Sequence, residues 1–268
     1  MKYIIFTDMD GTLIDYHNYT FEGAQDALDL IKDSGIPLVL TTSKTRVEVL
    51  RYIDMLGINE PFIVENGGGI YFPSLFKGTP VEAGTKSGNY REIVSGVKKD
   101  YILPIINDIR DDFNIKLFSD FSDEELSRFT EMKIEDVRLS KMRDFTEPFM
   151  FKENLSDSRF NDLCVYIKRY GLKILKGGRF FHLVGLDQDK GKAVMIVKKI
   201  IEDIISEKPV TIGLGDSKND YEMLKVVDIP VLIRKYDNTY EDMHIDGLTR
   251  SKLPGPAGFN ETILNILR

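Results

Sequence analysis

The sequence predicts an α/β protein, a doubly wound parallel-sheet core with an α+β domain inserted into it. Three observations carry that reading. Short apolar, β-rich runs alternate with helical stretches from the first residues onward. The alternation gives way to a more polar middle of mixed character, and it returns in the last third of the chain. Strand–helix–strand units at this spacing make parallel pairs with helical crossovers. The expected bounds are residues 1–80 and 181–268 for the core and 81–180 for the insert.

Tyr3 to Thr7 reads as a strand buried on both faces. Thr20 is placed to cap a helix whose Phe21, Ala24, Leu28 and Ile31 form one stripe, and Gly35 suits its end. Ile36 to Leu40 is a second strand. A helix follows with Val47, Leu50 and Met55, ending at Gly57, and Phe62 to Val64 is a third strand before the turn Glu65-Asn66-Gly67-Gly68-Gly69. In the middle, Tyr90 to Phe113 and Asp157 to Tyr170 read as helical. Phe149 to Phe151 and Leu172 to Leu175 read as strands, and Ser122 with Glu125 forms a capping box. Phe180 to Val184, the helix Lys192 to Ile205, the strand Val210 to Leu214 and a helix from Asn219 restore the core pattern.

The 268 residues carry a formal charge of −7, which argues against a nucleic-acid or anionic-membrane binder. Cys164 is the single cysteine, so an internal disulfide and a multi-cysteine metal site are both excluded. The opening MKYIIFTDMDG lacks the form of a signal peptide, and no apolar run is long enough to span a bilayer. A cytoplasmic location is expected.

Four segments point to chemistry. Asp8 and Asp10, with Gly11 and Thr12, follow the first strand directly. Two carboxylates so placed need a cation or a proton between them, unless they merely form a polar turn. Gly213-Leu214-Gly215-Asp216-Ser217-Lys218-Asn219-Asp220 stands at another strand end. It reads as a second acidic cluster or as a capped turn. Lys218 occupies the place of the third glycine of a dinucleotide fingerprint, which discounts that reading. Two such clusters suit one hard cation such as Mg²⁺. Thr41-Thr42-Ser43-Lys44 opens a helix and offers either an anion site or a cap. Asp189-Lys190-Gly191-Lys192 puts lysine at a helix N-terminus, against the dipole, where it is either functional or solvated.

In this order the four segments resemble the haloacid dehalogenase-like phosphohydrolases, a Rossmann-like family. The resemblance implies that Asp8 is the nucleophile and Asp10 the general acid and base. It implies Mg²⁺ as cofactor, held by Asp8, Asp10 through its backbone carbonyl and Asp216, with Asp220 in support. Thr42 or Ser43 and Lys190 would hold the phosphoryl oxygens. The insert resembles the large α/β cap of one branch, which closes over small organic phosphates.

Thr42-Ser43-Lys44-Thr45-Arg46, Glu65-Asn66-Gly67-Gly68, Arg143 to Phe149, Gly178 to His182 and Gly255 to Asn260 together resemble the mannosyl-3-phosphoglycerate phosphatases. That implies release of phosphate from a phosphorylated sugar acid through an aspartyl-phosphate, with mannosylglycerate, a compatible solute, as product. Arg143 and Arg179 are candidates for the substrate carboxylate with Lys44 nearby, and Glu65 and Asn66 for sugar hydroxyls. The alternatives are a phosphatase of another sugar phosphate or of the glucosyl analogue, and a phosphomutase. His17 and His182 read as structural and His244 as exposed.

Overall fold

The structure is a computed structural model, and it describes residues 2–177 and 180–268. Four apolar residues in a row and a buried threonine form β1 (Tyr3–Thr7) in the interior of the larger sheet. After it come α1 (Gln25–Asp33), β2 (Leu38–Thr41), α2 (Arg46–Leu56) and β3 (Phe62–Val64). The chain then reverses into β4 (Gly69–Pro73), a small hairpin of β5 (Leu75–Phe76) and β6 (Thr79–Pro80), then β7 (Thr85–Ser87) and β8 (Tyr90–Val94).

The middle of the chain supplies α3 (Lys99–Ile109), β9 (Ile115–Leu117), α4 (Asp123–Thr130), α5 (Ile134–Lys141) and β10 (Glu147–Phe151). It continues with α6 (Asp157–Lys168), β11 (Leu172–Lys176) and β12 (Phe181–Gly185). The last part is α7 (Lys190–Ile205), β13 (Val210–Gly215), α8 (Tyr221–Val226), β14 (Ile229–Arg234), β15 (Thr249–Pro254) and α9 (Gly255–Leu267).

The larger sheet runs β15-β14-β13-β1-β2-β3-β4-β8-β7. Its first six strands are parallel and its last three are antiparallel. Apolar side chains on both faces of this sheet pack under helices, with Ile5, Leu40 and Leu214 on one face and Ile4, Phe6 and Val39 on the other. Two covered faces explain why the strands read as unbroken apolar runs. The chain leaves β1 toward β2 on one side and returns as β13 on the other. That reversal opens a crevice at the carboxyl ends of these three strands, where open α/β sheets bind ligands.

A second sheet, β11-β12-β10-β9, is antiparallel throughout and packs beneath α3 and α6 through Ile102, Ile106, Leu163 and Leu172. The expected bounds of the insert therefore shift at both ends. Residues 85–94 were expected to lie in the insert, and Tyr90 to Phe113 to be helical, but β7 and β8 extend the larger sheet. The β-rich run YREIV pairs with β4 over its whole length, and the helical pattern begins only at Lys99. Phe181 to Gly185 was expected to open the second core segment, but it pairs antiparallel with β10 and β11. Thr20 does not cap α1, which is entered through a 3₁₀ turn at Glu22–Ala24 without a side-chain cap.

Candidate active site

The site is built at the ends of β1 and β13. Asp8 is anchored by its backbone N–H, which donates to the Leu214 carbonyl at 2.8 Å. Its carboxylate, that of Asp216 and that of Asp220 offer oxygens within 4.8 Å of one another. Gly11 makes this approach possible. Its φ is +76°, and a Cβ there would stand 2.9 Å from Asp216 Oδ2.

Lys190, in the first turn of α7, sends its ammonium into the cluster at 2.6 Å from both Asp8 Oδ1 and Asp220 Oδ1. Asp189 caps the helix by accepting from the Lys192 N–H. Gly191 lets the helix lie against α8, since a Cβ would meet the Glu222 carbonyl oxygen at 2.3 Å. The second oxygen of Asp220 accepts from the backbone N–H groups of Asp216 and Ser217 and so holds the acidic turn in place.

Burial and the neighbouring Asp220 carboxylate push the Asp8 carboxyl up to about 7, against the pull of Lys190. Burial, Asp220 and Asp8 likewise hold Asp216 well above the usual carboxylate range. Burial would lower the Lys190 ammonium, but Asp220 and Asp8 outweigh it and raise it. Three clustered carboxylates balanced by one ammonium leave a surplus of negative charge on hard oxygen donors, and this donor set fits Mg²⁺.

Asp10 lines the same cleft, but its carboxylate is not among the three clustered ones. Lys44 Nζ pairs with Asp10 Oδ2 at 2.9 Å, while Asp10 Oδ1 is buried without a hydrogen-bond partner. Burial lowers the Lys44 ammonium, but Asp10 and Glu48 prevail and keep it above the ordinary lysine range.

The cluster opens, through Asp8 and Asp216, onto a cleft of about 850 Å³, walled by the ends of the larger sheet on one side and by the second sheet with α4 and α5 on the other, while Lys190 and Asp220 are buried behind its wall. Asp8, Asp10, Ser43, Lys44, Asn66, Arg143 and Asp216 all face it. Thr42 does not. It is buried, and its hydroxyl accepts from the Lys44 N–H. Of the two candidates for holding phosphoryl oxygens beside Lys190, only Ser43 lies at the cleft wall.

Glu65, expected to meet sugar hydroxyls, is 0% exposed and lies outside the cleft. Its carboxylate is engaged by the backbone N–H groups of Asp144 and Phe145 and by the Thr146 hydroxyl. Asn66 does reach the cleft and accepts from Asn219 Nδ2 at 3.1 Å. Arg179 lies outside the described residues.

His17 and His182 both line the cleft, and His244 is exposed as expected. Burial and the Arg143 charge push the His182 imidazole down to about 3, so it stays neutral. Asn219 and Tyr236, also in the wall, were not anticipated. Asn219 lies within the Gly213–Asp220 segment and was open to notice. Tyr236 follows β14 in a polar loop with no sequence signal.

A haloacid dehalogenase-like hydrolase family model matches residues 5–239. The chain belongs to that family, and it is an enzyme, a phosphoric monoester hydrolase. It is 44% identical to the glucosyl-3-phosphoglycerate/mannosyl-3-phosphoglycerate phosphatase of Persephonella marina, over 98% of this chain and 97% of the other. It is 40% identical to the protein of the same name in Methanococcoides burtonii, over 100% and 98% respectively. Among solved structures, Thermoplasma acidophilum 0175 superposes with a TM-score of 0.69 at 15% identity, covering 100% of this chain and 99% of that one, a likeness of fold. Among the described residues, no helix is long and apolar enough to cross a membrane.

Proposed function

We propose that the chain hydrolyses mannosyl-3-phosphoglycerate, and its glucosyl analogue, to the glycosylglycerate and phosphate, acting in the cytoplasm with Mg²⁺. The observation that carries this is the meeting of Asp8, Lys190, Asp216 and Asp220, from three separate stretches of chain, in one cluster whose Asp8 and Asp216 open onto the cleft. The names of the two relatives supply the substrate.

Asp8 Oδ1 is held by Lys190, which leaves Oδ2 to attack phosphorus and form an aspartyl-phosphate. Asp10 donates a proton to the leaving glycerate oxygen and then takes one from the attacking water. With Lys44 on Oδ2, the unpartnered Oδ1 is the atom that carries that proton. Ser43 and Lys190 orient the phosphoryl oxygens. Arg143, with its Nε free of hydrogen bonds, takes the substrate carboxylate. The carboxylates of Asp8 and Asp216 and the backbone carbonyl of Asp10 would hold Mg²⁺, with Asp220 behind them. The metal would draw off charge that builds on the transferring group.

Phosphate release with Mg²⁺ from the mannosyl and glucosyl substrates, set against hexose phosphates, tests the reading. Either glycosyl-phosphoglycerate should be the best substrate. Faster turnover of simple hexose phosphates overturns the assignment, and isomer formation without phosphate release would point to a mutase. Asp8→Asn should lower release on the order of 10³-fold or more.

A further inference from the structure

We propose that Glu65 is a positioning residue: it pins residues 144–146 to the core and thereby fixes the Arg143 guanidinium in the cleft as the seat of the substrate carboxylate. The inference deepens the proposed function and rests on it for the identity of the bound group.

Glu65 opens the tight turn between β3 and β4, where both Glu65 and Asn66 have positive φ, +50° and +56°. Two successive non-glycine residues in the left-handed region are strained and persist only where their surroundings hold them. Here the hold comes from the insert. Glu65 Oε1 accepts from the Asp144 N–H at 2.8 Å, and Oε2 accepts from the Phe145 N–H at 3.1 Å and the Thr146 hydroxyl at 2.6 Å.

The glycines after Glu65 complete the socket. A Cβ on Gly68 or Gly69 would come within 2.3 or 2.6 Å of the Phe145 side chain, so the pair leaves the space that the ring fills. Phe145 is accordingly buried with Phe62 and Tyr71 of the larger sheet, although its chain neighbours belong to the insert.

From this anchor a hydrogen-bond chain runs to the cleft. Thr146 Oγ1 donates to Glu65 and accepts from Arg143 Nη1 at 2.9 Å. The same Nη1 donates to the Ser43 carbonyl at 3.1 Å. Arg143 is thereby fixed against the phosphate-binding loop through one nitrogen. Its Nε is left buried without a partner beside the cleft. The Glu65 carboxylate lies 3.8 Å from Nη1 and adds a charge contact. A flexible arginine on a cap would lose much of its binding energy to ordering, and one already clamped at its far edge does not. Glu65 itself never faces the substrate.

The test is Glu65→Gln, which keeps the shape and removes one acceptor, alone and combined with Arg143→Ala. Three results are expected. Amide exchange of Asp144 and Phe145 should speed up at least tenfold. KM for mannosyl-3-phosphoglycerate should rise at least tenfold with kcat within threefold of wild type. The double variant should be no worse than Arg143→Ala alone. Unchanged exchange, an unmoved KM, or losses that multiply in the double variant would each overturn the proposal. Should Glu65→Gln fail to fold, Thr146→Val cuts only the hydroxyl link between Glu65 and Arg143 and carries the same kinetic test. If mannosyl-3-phosphoglycerate proves not to be a substrate, the exchange rates and the double-variant comparison, run on the phosphomonoester turned over best, still decide the role of Glu65.

Discussion

Single atoms decide the behaviour of this site because its charges stand so close together. Gly11 is the sharpest case, since its positive φ and the nearness of Asp216 Oδ2 both exclude a side chain. Gly11→Ala should displace the Asp216 carboxylate and weaken the metal more than the chemistry. The Mg²⁺ concentration for half-maximal phosphate release should rise about tenfold, roughly 1.4 kcal/mol, and an unchanged Mg²⁺ titration would refute this. His182 gives a pH prediction. Its folded-state pKa, about 3 through burial and Arg143, lies below its unfolded value of about 6.5. The unfolded chain therefore binds the extra proton between these values, and the contribution of this residue to stability is lost as pH falls below 6.5, at up to about 1.4 kcal/mol per pH unit. Replacing it with Gln should flatten the acid side of a plot of Tm against pH between 6.5 and 4. An equally steep decline in the variant would show that other groups govern it.

The local logic of elements shows at α2. Thr45 accepts from the Glu48 N–H and Glu48 accepts from the Thr45 N–H, a full capping box, and the Thr45 hydroxyl also reaches the Leu139 carbonyl of α5. Thr45→Ala should destabilise the protein by about 1 to 2 kcal/mol, with Ser recovering most of it, and urea unfolding measures both. A loss no larger than for an exposed substitution would mean the box is idle. Elements that carry their own signal were legible in the sequence. The Ser122–Glu125 box is where expected, and β1, β3 and β13 stand out as runs buried on both faces. The acid pairs were legible for the same reason, since each follows such a strand directly. Tyr90 to Val94 was lost because a half-buried strand lacks that signature. Glu65 was misplaced because its partners, Asp144 to Thr146, lie some eighty residues away. Nothing in the spacing of one turn records what it will grip.

The larger and smaller sheets meet around the cleft, and the buried side chain of Gln188 ties the two linkers that join them. Its Oε1 accepts from the Val97 and Gly185 N–H groups at 3.3 Å each, one in the strand-to-insert crossing and one in the return, while its Nε2 donates to the Glu65 carbonyl at 2.8 Å. The fit is close, since a Cβ on Gly96 would meet Gln188 Oε1 at 2.3 Å. One amide thus fastens both linkers to the turn that also anchors the insert at residues 144–146. Removing it leaves the part-buried Val97 N–H, the buried Gly185 N–H and the buried Glu65 carbonyl without their partner, a cost of about 1 to 3 kcal/mol for each group that finds no water. Gln188→Ala should therefore lower global stability by a few kcal/mol on that scale. It should also speed amide exchange at Val97 and Gly185 ahead of global unfolding, because the insert then swings on two untied strands. Lys190 lies two residues further on, so the loosening should reach kcat as well as KM, unlike a change confined to Arg143. The idea fails if exchange at those two amides still follows global unfolding in the variant and kcat is unaltered, for the insert would then be held to the core by other contacts, such as Arg51 of α2 with Asp136 of α5.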